Sequence, residues 1–458
     1  QEKNLMNKPL RNIKQCFEGA IPAGIATCSA EGVANVTYIS HVHLIDDNHV
    51  AISYQFLNKT RSNLTANPQA ALLVIDPVCG IQYRLQLHYQ KQETSGSIFD
   101  KVKTRLDAIA SMSGMSAVFK LKGVDIFEVI KWESMEQNND IEIQNTSPDF
   151  AQLNEITQAI SNCEQLDELL ETTLNQLHQL FGFEHAMVLF INPQEQSLYT
   201  IASHGYEQQG AGAEVKFGEG VIGTVAKERK AVNIANMQRE NILTNAVQQQ
   251  MAQQDNNFFQ AMHIPLPGLS KPNSQFATPI ESRNQLLGVL FLESENNMQF
   301  EADTQALIST IANHLGSAIP LCLDDSQLQI ATNITPETKS KSSSTRDKNK
   351  IVKVRHFKAD NSIFLNSDYL IKGVAGAILW YLLQVHLTEG RTNFTNRELR
   401  MASELNLPDI ADNLEARLVL LRRRLADRNC PISIESTGRG RFQLQINNPL
   451  DLLSVNNA

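Results

Sequence analysis

The chain has 458 residues, 42% of them hydrophobic and 19% charged, with a formal net charge of −9. That length exceeds one ordinary core, and the composition is globular, which excludes fibrous and disordered classes. No apolar run reaches the ~20 residues of a membrane span, the start QEKNLMNKPLRNIK lacks an apolar leader region, and the cysteines form no CxxC or CxxH pair. No membrane association, zinc knuckle or disulfide framework is therefore expected, and a reducing cytoplasm is.

Charge is uneven along the chain. Residues 339–446 hold 19 Lys and Arg against 11 Asp and Glu, a net of +8, which leaves −17 for the remainder. A basic segment on an acidic body is the footprint of a nucleic-acid-binding module joined to something else. Two polar stretches, 136–148 and 323–350, divide the chain; the second contains TPETKSKSSSTRDKNK and is predicted to be a flexible tether. Domains are expected at 1–135, 150–322 and 351–447.

In the first block, residues 21–27, 34–40, 49–54 and 70–75 are short β-branched runs broken by Gly, Asn or Asp. A helix is predicted near 99–112 and a strand at 123–130, which together suggest a small barrel. The runs PAGIATCSAEGVANVTYIS and HVAISYQFLNKTRSNLTANPQAALLVID resemble the pyridoxamine-phosphate-oxidase-like split barrel. The resemblance implies FMN, a homodimer, and a phosphate-binding turn of Asn58, Lys59, Thr60 and Arg61 ahead of a helix at 62–66. Lys59 and Arg61 would supply charge, Thr60 a hydroxyl, and the helix start its N–H groups. A solvated turn is the plain alternative. His41 and His43 alternate on one strand and could share a face, which keeps haem or a metal as the lesser cofactor reading.

The second block opens with leucines and isoleucines at helical spacing from 153 to 180, read as one helix. Strands follow at FGFEHAMVLFI and LYTIASHG, then KFGEGVIGTVAKERKAVNIAN, LLGVLFLES and FEADTQALISTIANHLGSAI. This set resembles a GAF domain over its whole length, and the resemblance implies a pocket for a small-molecule effector. His185, His204 and His263 are its polar ligand candidates, with residues 237–278 as lid. Glycines 223 and 288 are read as points of close backbone approach.

The third block reads HFKADNSIFLNSDYLIKG, an apolar helix VAGAILWYLLQVHLTEG, a capping box from Thr395 to Glu398, and a helix LEARLVLLRRRL capped by Asp412 or Asn413. Two strands around Gly438-Arg439-Gly440 close it. The order hairpin, three helices, hairpin is that of a winged helix, and the runs LEARLVLLRRRL and STGRGRFQL resemble the OmpR/PhoB-type DNA-binding domain. Leu414, Leu418, Leu421 and Leu425 form its core stripe. The resemblance implies guanine contact by Arg417, phosphate contacts by Arg422, Arg423 and Arg424, and minor-groove contact by Arg439 and Arg441. Val419 and Leu420 depart from the pattern and point to looser base readout or a protein-facing surface.

The expected fold class is multidomain α+β: a split β-barrel, a GAF α/β sandwich and a C-terminal winged helix-turn-helix. The expected function is a one-component DNA-binding transcription regulator with double-stranded DNA and a small-molecule effector as partners. The rivals are a flavin- or haem-dependent oxidoreductase with regulatory C-terminal domains, and a non-DNA interaction scaffold. No general acid–base set accompanies the phosphate turn, so an enzyme is not the primary reading.

Overall fold

The computed structural model describes residues 9–54, 58–77, 79–112, 121–135, 150–193, 195–237, 264–323, 351–366, 368–402, 405 and 414–455. The divider at 136–148, the tether at 324–350, His263 and the capping candidates Asp412 and Asn413 lie outside the described residues.

Period-two alternation builds the first sheet. A 3-10 segment, Leu10–Phe17, is followed by β1 (Ala23–Cys28), β2 (Ala34–Ile39), β3 (Val42–Leu44), β4 (His49–Tyr54), α1 (Asn58–Ala66), β5 (Gln69–Ile75), β6 (Gln82–Glu93), α2 (Ser97–Met112) and β7 (Gly123–Ser134). They form one seven-stranded sheet in the order β2-β1-β5-β6-β7-β4-β3, antiparallel at every step. The strand missing from the sequence reading, β6, buries Tyr83, Leu85 and Leu87 and exposes Gln82, Arg84 and Gln86. It pairs with both β5 and β7 and so sits at the middle of the ladder. Residues 58–61, predicted as a turn before a helix, are instead the first turn of α1 itself.

The second unit begins with two helices where one was expected, α3 (Phe150–Ser161) and α4 (Leu166–Phe181). The break at 162–165 lets Asp167 and Glu168 occupy the first turn of α4, where negative charge meets the positive end of the helix dipole. Gly182 ends α4 in the left-handed conformation at φ 69°, its N–H returning to the His178 carbonyl. Strands β8 (His185–Asn192), β9 (Ser197–His204) and β10 (Glu214–Lys216) precede α5 (Gly220–Glu228). Then come β11 (Val232–Ile234), β12 (Ser274–Ser282), β13 (Gln285–Ser294) and α6 (Ala302–Leu323). The antiparallel order is β10-β9-β8-β13-β12-β11. Gly288 is required, because a Cβ there would collide with the Leu189 carbonyl. By length and composition α6 could cross a membrane, contrary to the sequence reading. Here its Leu307, Ile308, Ile311, Leu315 and Ile319 are buried in one core with α3 and α4.

The third unit comprises β14 (Val352–Phe357), β15 (Ser362–Leu365), β16 (Asp368–Ile371), α7 (Gly373–Glu389), β17 (Asn393–Thr395) and α8 (Asn396–Met401). It continues with α9 (Leu414–Asp427), β18 (Ile432–Gly438), β19 (Arg441–Ile446) and β20 (Leu450–Val455). The capping box forms: the Thr395 hydroxyl accepts from the Glu398 N–H at 3.2 Å, and Glu398 accepts from the Thr395 N–H at 2.9 Å. One sheet runs β16-β15-β14-β20 and another β17-β19-β18. β20 lies past the expected end at 447 and pairs parallel with β14.

The barrel and the second unit dock through α2 and α5. Ala108 and Ile109 of α2 are buried in one cluster with Val221, Ile222, Val225 and Ala226 of α5. The Ser111 hydroxyl accepts from the Gly220 N–H and donates to the Gly218 carbonyl, both at 2.7 Å, so a barrel side chain caps the glycine-rich helix start.

Candidate functional site

Two stripes run along α9. Leu414, Leu418, Leu421 and Leu425 are buried within the C-terminal unit, as their spacing predicts. Offset from them, Ala416, Leu420, Arg423 and Asp427 repeat the same i, i+4, i+7, i+11 spacing and face the second unit. A Cβ added at Gly212 would meet Leu420, which shares a buried cluster with Tyr199 and Ala211, and Asp427 Oδ2 accepts from the Ala211 N–H at 3.2 Å. The apolar Leu420, out of place for base readout, is accounted for by this contact.

The arginines follow the second stripe. Arg423 Nε and Nη2 reach Asp167 Oδ1, in the first turn of α4, at 2.9 and 2.6 Å. Arg422 pairs with Glu415 at 3.1 Å and lies 3.9 Å from Asp167. The Arg417 guanidinium stands over the Tyr199 ring, 4.8 Å from its centroid, a cation–π distance. Arg424 is a correction: predicted to touch phosphate, it is only 6% exposed and donates from Nε to the Leu370 carbonyl at 2.8 Å. Its position beside Leu425 turns it into the unit's own core, and burial lowers its pKa. In the β18–β19 turn, Arg439 Nη2 donates to the Leu321 carbonyl in the last turn of α6 at 3.3 Å, while Arg441 is exposed. The six predicted arginines thus share one region, but four of them (Arg417, Arg422, Arg423 and Arg439) meet the second unit.

At α1 the predicted phosphate set diverges, since successive helical side chains point about 100° apart. Lys59 is exposed, Thr60 is buried and accepts from Asn35 Nδ2 at 3.1 Å, and Arg61 bonds Gln92. The Asn58 side chain lies outside the described residues. Close to Arg61 is Asp125, whose buried Oδ1 has no hydrogen-bond partner among the described residues. Burial pushes its pKa up to about 6, against the pull of Arg61.

His41 and His43 do share a side, with ring centroids 6.1 Å apart, and Arg105 of α2 lies against the same Gly19 backbone as His41. Burial, reinforced by Arg105, holds the His43 pKa well below the usual imidazole value. Among the described residues no group of three or more His, Cys, Asp or Glu could hold a metal ion. His185 and His204 are not brought together on a ligand: His185 packs on Tyr206 with ring centroids 5.3 Å apart, and His204 on His178 at 4.9 Å. Neither lines the two clefts at the boundary with the C-terminal unit, the larger of about 590 Å³ and lined by Gln209, Gly210, Pro265, Tyr369 and Asp427 among others.

Asp167, Tyr199, Glu214, Ser111 and Asp125 were not singled out from sequence. The α9 acceptors carried one legible signal, the second stripe ending at Asp427.

Sheet order and docking define a chain of a barrel and an α/β sandwich joined to a basic C-terminal unit. More particularly, residues 10–129 match the family model described as pyridoxamine 5'-phosphate oxidase, and residues 165–319 match the GAF domain model. These stretches are a split barrel of the pyridoxamine-phosphate-oxidase-like kind and a GAF domain. No match to a curated protein was found. Similar solved structures include an FMN-binding protein from Syntrophomonas wolfei, at 19% identity over 28% of this chain and 88% of that one, TM-score 0.25. The GAF domain of an Acinetobacter phosphoenolpyruvate-protein phosphotransferase is 19% identical over 41% and 97%, TM-score 0.31. Free methionine-R-sulfoxide reductase from Neisseria meningitidis is 19% identical over 37% and 87%, TM-score 0.29.

Proposed function

We propose that this chain is a cytoplasmic one-component transcription regulator, in which the barrel–GAF body senses a small molecule or redox state and a C-terminal winged helix meets double-stranded DNA. One observation carries the reading: of the net charge of +8 over residues 339–446, half falls on residues 351–446, a unit whose three helices are followed by a β-hairpin with Arg439 between Gly438 and Gly440, and half on residues 339–350 just ahead of it. Gly438 and Gly440 take φ of 148° and 65°, which leaves a tight turn able to approach a backbone closely. Phosphate neutralisation by such a unit makes binding fall steeply with salt.

FMN belongs to the same proposal as the barrel's cofactor, and the residues fit it in part. Lys59 and Arg61 suit a phosphate by charge, whereas Thr60 is turned inward onto Asn35. When bound, a flavin would supply redox chemistry; here Lys59, the exposed cation of the set, would face its phosphate, while Arg61 is engaged by Gln92. The barrel is also where a second copy of the chain would meet this one. Val36 and Tyr38 on the edge strand β2 are 74% and 85% exposed, an apolar face suited to burial.

The test is fluorescence anisotropy of the full chain with a mixed-sequence duplex across a salt titration. The expected result is salt-dependent binding, with Arg441→Ala lowering the salt slope by about 1. Absence of any binding at low salt, both in the unaltered chain and in a chain carrying Asp167→Asn, would overturn the reading.

A further inference from the structure

We propose that the GAF face formed by Asp167, Tyr199 and Glu214 is an intramolecular docking surface for the basic helix α9, which holds the C-terminal unit closed against polyanions. The inference rests on the nucleic-acid reading above and adds how that site is regulated.

The contacts come from separate elements of the GAF domain and converge on one helix and its neighbours. Asp167 in α4 takes Arg423 at 2.6 Å and has Arg422 within 3.9 Å. Tyr199 in β9 takes the Arg417 guanidinium on its ring. Glu214 in β10 pairs with Lys372, just ahead of α7, at 3.0 Å. The hairpin turn is held too, by Arg439 on the Leu321 carbonyl and by Ser436 donating to Gln165 at 3.3 Å. Arg422 and Arg423 side chains are each only 13% exposed. A duplex approaching α9 would have to displace an α-helix and a strand edge from the same groups that would touch its phosphates.

The chemistry of the surface argues for a reversible hold. Asp167 is 35% exposed, so its pairs are partly screened by water and individually weak. The apolar component is a buried cluster in which Ala416, Val419 and Leu420 join Tyr199, Ile201 and Ala211 of the GAF domain, so the pairs set the register of the contact and its dependence on charge. A carboxylate and an aromatic face here occupy arginines as phosphates and base edges would, so duplex and GAF domain compete for one helix. Both faces of α9 being occupied also explains why it is buried nearly all round, with Ala416, Val419 and Leu420 inaccessible together with the core leucines.

Two full-length variants test this, Asp167→Asn and Glu214→Gln, each read by amide hydrogen exchange over residues 414–427 and by anisotropy with a mixed-sequence duplex. The two substitutions lie on different elements, so one can be read if the other fails to fold. Exchange over 414–427 is expected to accelerate by about two- to fivefold, and duplex affinity to rise by about two- to fivefold, for loss of one or two weak pairs. If exchange accelerates but no chain binds duplex, the docking surface stands and the DNA-binding reading falls. If the folded variants exchange over 414–427 as slowly as the unaltered chain, the docking surface is overturned. It is overturned equally if exchange accelerates while duplex affinity stays the same as in the unaltered chain.

Discussion

The GAF domain is held on two sides by different means. On one side the barrel helix α2 presents Ala108 and Ile109 to a cluster of Val221, Ile222, Val225 and Ala226, an apolar junction continuous with the cluster of the sheet residues Met187, Leu189 and Phe291. On the other side α9 is met by the Asp167 carboxylate and the Tyr199 ring, beside a buried apolar cluster that holds Ile201, Ala202 and Ala211 of the GAF domain together with Val419 and Leu420. Apolar burial is insensitive to salt and is lost only by unfolding or large separation. Paired charges at partial exposure are each worth about 0–1 kcal/mol and weaken with ionic strength. Both junctions contain apolar clusters, and the second adds the pairs of Asp167, which salt weakens, to its apolar contact.

The largest expected effect is at the apolar junction. Ile109→Asp puts an unpaired carboxylate into that cluster, and about 4 kcal/mol of stability should be lost, read by chemical denaturation of the full chain. The comparison breaks if barrel and GAF then unfold as they did before. Salt gives the next effect. The pairs of Asp167 and Glu214 together should lose about 1–2 kcal/mol on going to molar salt, which would show as faster hydrogen exchange across α9 with α2 unchanged. Equal acceleration of both helices would remove the distinction.

These junctions also mark where sequence reading reached and where it stopped. The core leucines of α9 were legible from local periodicity, and the barrel and the GAF domain from runs that resemble known families. The strand β6 was equally legible in its Tyr83, Leu85, Leu87 alternation but lacked a punctuating glycine or proline within it, and its residues were passed over. The break between α3 and α4 escaped because the apolar spacing continues through it, while the missing hydrogen bonds lie in the backbone. The site was less accessible. Asp167 is 256 positions from Arg423, and nothing local to either names the other. Arg424 was misplaced because one helical step separates an arginine directed at Asp167 from one directed at the Leu370 carbonyl. At α1, charge suggested a cradle that the helical rotation of Lys59, Thr60 and Arg61 disperses.

A more modest effect is expected at Ser111. Its hydroxyl bonds Gly220 and Gly218 across the junction, so Ser111→Ala leaves one N–H and one carbonyl at the start of α5 without that partner. About 1 kcal/mol should be lost, the usual cost of an N-terminal cap, and thermal unfolding of the full chain reads it. A loss well above that would mean the polar contact, and not the apolar cluster, dominates this side.

The smallest effect concerns pH at the same junction. Glu18 of the barrel accepts from Asn233 and Gln305 of the GAF domain, each at 3.1 Å, and burial raises its pKa against the opposing pull of Arg105. A raised folded-state pKa means that the folded chain takes up this proton at a higher pH than the unfolded chain does. The associated stability is then fully present below the ordinary carboxylate pKa and is lost as pH rises through the folded value. Barrel and GAF should accordingly hold together slightly better in mild acid than at neutral pH, and Glu18→Gln, which keeps an acceptor oxygen but cannot ionise, should flatten that dependence. A Glu18→Gln chain whose melting temperature keeps the same pH slope would assign the slope to other groups.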